Sequence, residues 1–332
     1  MTLYRYSMAT LGWKGLNFFG HGGGLVVDSA RSDADRKTVL EYLSIPEEDM
    51  LEFNLGAQIL YRPNYFICID RKLSAVVLAI RGTMSLRDTI TDLVCEYVPW
   101  KDGMVHSGMI EAARYFQEGP VQRMIQWARE HKLSNIYLIG HSLGGGTATL
   151  TTMLLLEHLW ETPDAWPRQG FDNSLCGIHC YTWGTPSVVS PNLVSRYAPF
   201  IDSFVYGDDV VPRLCFGSVA DLRLLLIKAA QLVQGWHMFR PPAPDSPILA
   251  ELARCRSIIQ SQAQNPKMTP PGKLHHFVSL PAPSNQKFPI LETLERPGER
   301  FWELELRPQM IAHHMPNRYY DAFMEVYQNL PE

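Results

Sequence analysis

The sequence predicts an α/β fold, in which helices cover both faces of a mostly parallel central sheet. Apolar runs rich in β-forming residues at 75–80, 135–139, 178–183 and 202–206 are typical of buried parallel strands. A helical pattern at 147–160 directly follows one of these strands, and strands that alternate with helices indicate a parallel sheet. The 332 residues allow one large or two small domains. Because strand patterns resume after the one interruption of this rhythm, we expect a single domain over 1–332.

Composition excludes several classes of protein. A net charge of −4 argues against a nucleic-acid partner and against strong attraction to anionic membranes. No apolar run approaches the roughly 20 residues of a transmembrane helix, and the first residues lack the apolar core of a signal peptide. The six cysteines show no dense disulfide framework, and Cys176 and Cys180 lack the second pair that a metal site needs. We therefore expect a cytoplasmic protein without metal or cofactor.

The strand at 135–139 leads into Gly140-His141-Ser142-Leu143-Gly144, a G-x-S-x-G motif. In the nucleophile elbow of α/β-hydrolases, such a serine stands on a sharp strand-to-helix turn that exposes its Oγ at the top of the sheet. The two glycines leave space where a Cβ would collide with neighbouring backbone. A glycine-rich turn with an incidental serine would match the same five letters, but the preceding strand and the following helix favour the elbow.

A hairpin at 65–69 and 75–80 runs into Arg81-Gly82-Thr83. A loop at the carboxyl end of a central strand is where α/β folds place ligand sites, so Thr83 is an oxyanion-hole candidate together with the N–H of Leu143. Thr83 or Ser85 is also a plausible N-cap for a helix at 86–93, and both roles are compatible. The HGGG sequence at 21–24 supplies an oxyanion hole in some esterases, but here it precedes the sheet and is interpreted as a flexible loop.

A carboxylate just beyond the strand at 202–206 occupies the position of a hydrolase acid. Asp209 is this candidate, although an Asx-type turn before Pro212 is the structural alternative. Either His313 or His314 would complete the order Ser, Asp, His that α/β-hydrolases share. In that scheme the histidine takes the serine proton and the aspartate holds the imidazole in the right tautomer. We expect His106, His141, His275 and His276 to be structural.

Residues 215–272 interrupt the alternation of strands and helices. They combine a leucine-rich amphipathic helix at 219–234 with a proline-rich stretch and the aromatic residues Trp236 and Phe239. We interpret this insertion as a cap that covers the active site, with Trp236 and Phe239 as substrate or cap residues; the alternative is a helix buried in the core. Strands are expected again at 274–280 and 301–306, separated by a long loop at 281–297.

At these residues the chain resembles the class 3 lipases, and within them the sn-1-specific diacylglycerol lipases. The resemblance extends from about residue 48 to 327 and is carried by several separate segments: Ile80-Arg81-Gly82-Thr83 with Asp88 and Asp92-Leu93, His106-Ser107-Gly108-Met109, Gly140–Gly144, Asp209–Arg213, Pro270–Lys273 and His314-Met315-Pro316. The family's base precedes a Leu/Met-Pro pair, which implies that His314 is the base. The resemblance also implies an oxyanion hole from Thr83 and Leu143 and a regulatory cap at the insertion. Animal diacylglycerol lipases carry transmembrane helices before the catalytic domain, and none is expected here.

The predicted function is hydrolysis of lipid acyl esters through a Ser142–Asp209–His314 triad and an acyl-enzyme intermediate. Diacylglycerol or monoacylglycerol is the favoured substrate, met at a peripheral membrane or lipid-droplet surface. A general carboxylesterase or a phospholipase A1 is the alternative among enzymes. A non-catalytic scaffold that binds lipid or a partner is the alternative outside them.

Overall fold

A computed structural model describes residues 2–31, 33–56, 61–83, 96–161, 177–233, 243–279, 289–294 and 297–329. Ten strands are present in these ranges: β1 Met50–Asn54, β2 Tyr65–Asp70, β3 Ala75–Ile80, β4 Tyr97–Trp100, β5 Gly103–His106, β6 Asn135–His141, β7 Ile178–Trp183, β8 Ile201–Tyr206, β9 Lys273–Val278 and β10 Ile290–Leu294. The described helices are α1 Thr2–Ala9, α2 Gly12–Phe18, α3 Leu25–Ser29, α4 Ala34–Leu43, α5 Ser107–Glu118, α6 Pro120–Glu130, α7 Leu143–Glu161, α8 Pro191–Tyr197, α9 Phe216–Leu232, α10 Pro247–Gln262, α11 Pro297–Phe301 and α12 Pro316–Gln328.

Eight strands form the central sheet, in the order β1-β2-β3-β6-β7-β8-β9-β10. Strands β3, β6, β7, β8 and β9 are parallel, whereas β1, β2 and β10 continue the sheet with antiparallel pairings at its two sides. The mostly parallel sheet predicted from the sequence is confirmed. β4 and β5 form a separate two-stranded ribbon.

Two hydrophobic clusters sandwich this sheet. One joins helices α5, α6, α7 and α8 to one face, and the other joins α1, α2, α4 and α12 to the opposite face. Strand β3 is buried along its whole length, with Val76 and Leu78 in the first cluster and Val77 and Ala79 in the second. This two-sided burial explains why β3 is a continuous apolar run rather than an alternating one.

The predicted strand at 301–306 is wrong. Phe301 ends helix α11 and is buried, where its ring packs 5.4 Å from that of His276 and lies under the Arg213 guanidinium. Leu306, by contrast, is 59% exposed, so the apolar alternation does not mark one buried face. The edge strand β10 lies instead at Ile290–Leu294, inside the predicted loop, where it pairs with β9.

The insertion contains two helices, α9 and α10. An ion pair between Lys228 of α9 and Glu251 of α10 joins them. Only Gly217 and Ser218 are buried in α9, and no residue of α10 is buried. The alternative of a helix buried in the core therefore does not describe α9. Among the described helices, none is long and apolar enough to cross a membrane.

Candidate active site

Ser142 occupies the sharp turn between β6 and α7. Its backbone has φ of +58°, in the left-handed region that non-glycine residues rarely adopt. Its carbonyl accepts hydrogen bonds from the N–H groups of Gly145 and Gly146, and its own N–H donates to Trp183 O at 2.9 Å. These bonds hold the strained conformation at the carboxyl edge of the sheet, as a nucleophile elbow requires.

The loop after β3 packs directly against this turn. A Cβ added to Gly82 would lie 2.4 Å from the carbonyl oxygen of His141 and 3.2 Å from Cβ of Ser142, so only glycine fits there. Thr83 follows Gly82 and is half-buried. Leu143 opens α7, where an N–H has no acceptor within the helix and lies at the positive end of its dipole. The two predicted oxyanion donors therefore belong to segments that meet at Ser142.

The structure brings Ser142, His314 and Asp209 into one chain of hydrogen bonds. Nε2 of His314 lies 2.9 Å from Oγ of Ser142. Nδ1 of the same ring lies 3.0 Å from Oδ1 and 2.9 Å from Oδ2 of Asp209. With a neutral imidazole, Nδ1–H donates to the carboxylate and Nε2 accepts from the serine hydroxyl, which is the tautomer that proton abstraction needs.

Asp209 is completely buried and has further donors around it. The N–H of Val211 donates to Oδ1 at 2.9 Å, and the hydroxyl of Tyr319 donates to Oδ2 at 2.5 Å. Burial alone would raise the pKa of Asp209, but the charge of His314 and these hydrogen bonds outweigh it and hold the pKa below its usual value. The carboxylate is therefore ionised where the histidine needs a fixed negative partner.

Tyr319, on α12, has a hydroxyl oriented from two sides. It accepts from the N–H of Tyr206 at 3.2 Å, which directs its own proton toward Asp209. Burial and the negative charge of Asp209 raise the pKa of Tyr319 well above its ordinary value, so it remains a donor. Sequence reasoning missed this residue, because nothing in the pattern of α12 indicates which tyrosine points into the site.

Gly184 closes the site from the end of β7. Its φ is +55°, and a Cβ there would lie 2.8 Å from Oδ2 of Asp209 and 2.9 Å from Nδ1 of His314. Any side chain would displace the acid–base pair. The sequence does indicate a strand that ends at Gly184. The need for a glycine there arises only in the folded structure, where the end of β7 lies beside Asp209 and His314.

The two adjacent histidines point in different directions. His313 packs its ring 4.8 Å from that of Tyr206, and its Nδ1 accepts from the N–H of Asp208 at 2.9 Å. Burial lowers the pKa of His313, which keeps this acceptor unprotonated. Of the two histidines, only His314 contacts Ser142.

His141, the residue before the serine, contacts the turn that carries His314. Its Nε2 lies 3.0 Å from the carbonyl oxygen of His314, and the two rings are 4.7 Å apart. Burial, followed by the charge of His314, lowers the pKa of His141 to about 3. His141 is therefore neutral and donates to the carbonyl.

The other predicted structural histidines have partners elsewhere. Nδ1 of His106 accepts from Met109 N–H at 3.3 Å and caps α5. His275 lies 2.6 Å from a carboxylate oxygen of Asp202, and His276 lies 2.8 Å from Gly207 O. Within the described ranges, no group of three or more His, Cys, Asp or Glu residues could hold a metal ion.

The insertion 215–272 leaves the body of the protein shortly after the Asp209 turn. Its root is fixed, since the N–H of Gly217 donates to the hydroxyl of Tyr97 at 2.9 Å. Near the carboxyl-terminal end of α10, Arg256 and Gln260 both donate hydrogen bonds to the carboxylate of Glu303. The predicted cap residues Trp236 and Phe239 lie outside the described residues.

Comparisons with known proteins agree with this architecture. Residues 77–218 match the family model described as Lipase (class 3). Diacylglycerol lipase-beta of Mus musculus is 27% identical over 203 residues, which cover 58% of this chain and 27% of the mouse protein. Diacylglycerol lipase-alpha of Homo sapiens is 24% identical over 305 residues, covering 81% of this chain and 28% of the human protein. The chain thus spans little more than a quarter of the length of these two relatives. The crystal structure of a lipase from Rhizopus microsporus var. chinensis shares the fold, with a TM-score of 0.53 at 17% identity over 94% of this chain and 84% of that one.

Proposed function

We propose that this chain, of which residues 77–218 match the class 3 lipase family, is a serine hydrolase that cleaves acyl ester bonds of lipids. One observation carries the proposal: an unbroken series of hydrogen bonds from the Ser142 hydroxyl through His314 to a buried, ionised Asp209. A serine in an elbow with this pair behind it is equipped for nucleophilic acyl transfer.

The proposed reaction has two halves. His314 Nε2 takes the proton from Ser142 Oγ as that oxygen attacks the ester carbonyl carbon, and the resulting imidazolium is stabilised by Asp209. The N–H of Leu143 and a donor of Thr83 stabilise the oxyanion of the tetrahedral intermediate. The intermediate collapses to an acyl-enzyme, and the departing alcohol takes the proton from His314. Water, activated by the same histidine, then attacks the acyl-enzyme and regenerates Ser142.

Diacylglycerol or monoacylglycerol is the proposed substrate, because the mouse and human relatives are diacylglycerol lipases by name. Such a substrate resides in lipid, so we place the protein at a membrane or lipid-droplet surface reached from the cytoplasm. The insertion 215–272 is proposed to cap the acyl-binding region. Apolar side chains on both of its helices support this role, since Leu226 is 55% exposed and Leu249 is 38% exposed.

Labelling and mutation of the triad test the proposed chemistry. A fluorophosphonate should label the wild-type protein at Ser142 and fail to label Ser142→Ala. Hydrolysis of diacylglycerol in vesicles and of a soluble short-chain ester should fall on the order of 10⁴-fold or more in Ser142→Ala and equally in His314→Ala. His313→Ala is the matched control and should be much milder.

Two results would contradict the assignment. Labelling of Ser142→Ala at the wild-type level would place the nucleophile elsewhere, and a more severe loss in His313→Ala would move the base. Hydrolysis of soluble esters without hydrolysis of lipid would favour a general carboxylesterase, whereas cleavage of phospholipid would favour a phospholipase A1.

A further inference from the structure

An uncharged stretch near the N-terminus exposes several large apolar side chains. No Lys, Arg, Asp or Glu occurs from residue 15 to 27. Four side chains there are mostly exposed: Phe18 at 76%, Leu25 at 59%, Val26 at 82% and Val27 at 53%. Together they form what we call the apolar tip, at the end of α2 and on α3. Scattered apolar residues are normal on a protein surface, but a concentrated group of this kind marks an interaction site.

Hydrogen bonds hold the loop that connects the two parts of the apolar tip. Oδ1 of Asn17 accepts from the N–H of Gly24 at 2.6 Å, and the Asn17 amide donates to the carboxylate of Asp28. Asp28 is fully buried and also accepts from the N–H of Gly23 at 3.2 Å. The glycine-rich loop is therefore held at both of its ends, so the exposed side chains are presented by a fixed scaffold.

The shape of the apolar tip indicates what covers it. Leu25, Val26 and Val27 are consecutive, so their side chains point about 100° apart around α3, yet each is more than half exposed. A protein groove would bury one side of such a helix and leave the others in water. The acyl region of a bilayer surrounds an inserted element on all sides and requires no charged partner. A lipid surface therefore fits this uncharged stretch, which is exposed on several sides, better than a protein does.

The apolar tip also lies beside the turn that carries the proposed base. A cavity of about 520 Å³ is lined by Phe18, Phe19 and His21 together with Ala312, Met315 and residues of α12, which include the charged Arg318 and Asp321. Ala312 and Met315 flank His313 and His314 in the chain. An element inserted into lipid at this position would hold the carboxyl edge of the sheet, where Ser142 lies, close to the surface that contains the substrate.

We propose that the apolar tip anchors the protein by inserting into the acyl region of a phospholipid bilayer. The proposal rests on the proposed function, since it explains how a lipid substrate reaches Ser142. It assigns a membrane contact to residues 18–27, which are separate from the cap and from the triad.

Flotation with phosphatidylcholine vesicles containing diacylglycerol tests this anchor, with Ser142→Ala as the background so that the vesicles stay intact. The double change Phe18→Ser with Val26→Ser should weaken the vesicle partition coefficient roughly ten- to a hundred-fold, because two large apolar side chains lose their burial in lipid. Phe18→Leu with Val26→Leu should retain binding. Tyr327→Ser is the matched control: Tyr327 is 68% exposed near the opposite end of α12, and its loss should leave binding unchanged.

Several outcomes would overturn the proposal. Unchanged partition of the double serine variant would do so, as would an equal loss in the Tyr327→Ser control. If the wild-type protein were a dimer that the serine changes converted to a monomer without loss of vesicle binding, the apolar tip would bind a second copy instead. With Ser142 restored, the serine variant should hydrolyse a soluble short-chain ester at the wild-type rate. Absence of that activity in the wild type too would refute the proposed chemistry while leaving the anchor supported.

Discussion

Replacing Tyr319 by phenylalanine isolates one hydrogen bond to the proposed acid. The change removes the hydroxyl that donates to Oδ2 of Asp209 at 2.5 Å and accepts from Tyr206 N–H at 3.2 Å. The ring is completely buried, and the loss of one oxygen leaves its packing in place. A buried hydrogen bond to a charged group contributes about 1.5–3 kcal/mol, and we expect the free energy of unfolding to fall by about that amount.

The effect on activity has a definite direction. Asp209 keeps its contacts with His314 and with Val211 N–H, so orientation of the imidazole is weakened rather than abolished. We expect kcat to fall about ten-fold, which corresponds to about 1.4 kcal/mol, with little change in KM. The tyrosine hydroxyl is also one of the contacts that hold the pKa of Asp209 below its usual value. Its loss should raise the pKa of Asp209, so the carboxylate is protonated at a higher pH and the acid limb of the kcat/KM profile should move upward.

Tyr4→Phe is the control for a purely structural role. Tyr4 is also fully buried and donates its hydroxyl proton to Pro316 O at 2.5 Å, at the start of the same helix, but it forms no hydrogen bond with the triad residues. It should lose stability, measured by urea unfolding, without moving the acid limb. A Tyr319→Phe protein with a wild-type pH profile and wild-type kcat would refute the positioning role, and so would an equal shift in Tyr4→Phe.

Two further perturbations concern pH and the cap. The pKa of His141 is about 3 in the folded state, against an ordinary value of about 6.5 in the unfolded chain. Between these two pH values the unfolded chain binds more protons, so the free energy of unfolding falls as the pH is lowered through that window. His141→Asn should remove up to about 1.4 kcal/mol per pH unit from this slope, and unfolding curves from pH 4 to 6 that keep the wild-type slope would contradict it. Glu303→Gln removes the exposed ion pair that ties α10 to the body, so a cap that opens should raise kcat/KM on a soluble short-chain ester about two- to five-fold. An unchanged rate would mean that this contact does not restrain access to Ser142.

The features that could be predicted best from the sequence are those formed by residues that are contiguous in the chain. The strand, turn and helix around Ser142 are contiguous, so their pattern contains the whole elbow, and Asp209 follows directly from the end of a strand. Tyr319 and Gly184 could not be predicted in the same way. Their roles arise from the packing of α12 and the end of β7 around one carboxylate, and such packing depends on segments far apart in the chain.

Near the β10 edge of the sheet, the sequence predicts a strand that the structure does not contain. The alternating apolar residues at 301–306 predict a strand, yet Phe301 is the last residue of a short helix, and it is the only one of them that is buried. Periodicity describes which side chains can share a face, but it does not say whether a neighbouring strand offers a free edge. Here the edge of β9 pairs with Ile290–Leu294 instead.

The location of His314 has a consequence for folding. Ser142 and Asp209 follow the buried strands β6 and β8, whereas His314 lies in a short 3₁₀ turn whose residues are exposed or only partly buried. Exposed turns open locally with less free energy than the buried centre of a domain. A transient opening of this segment would separate the proposed base from Ser142 while the central strands stay protected from hydrogen exchange. Enzymatic activity would then report the local stability of this segment, and it would be lost on heating before the sheet itself melts.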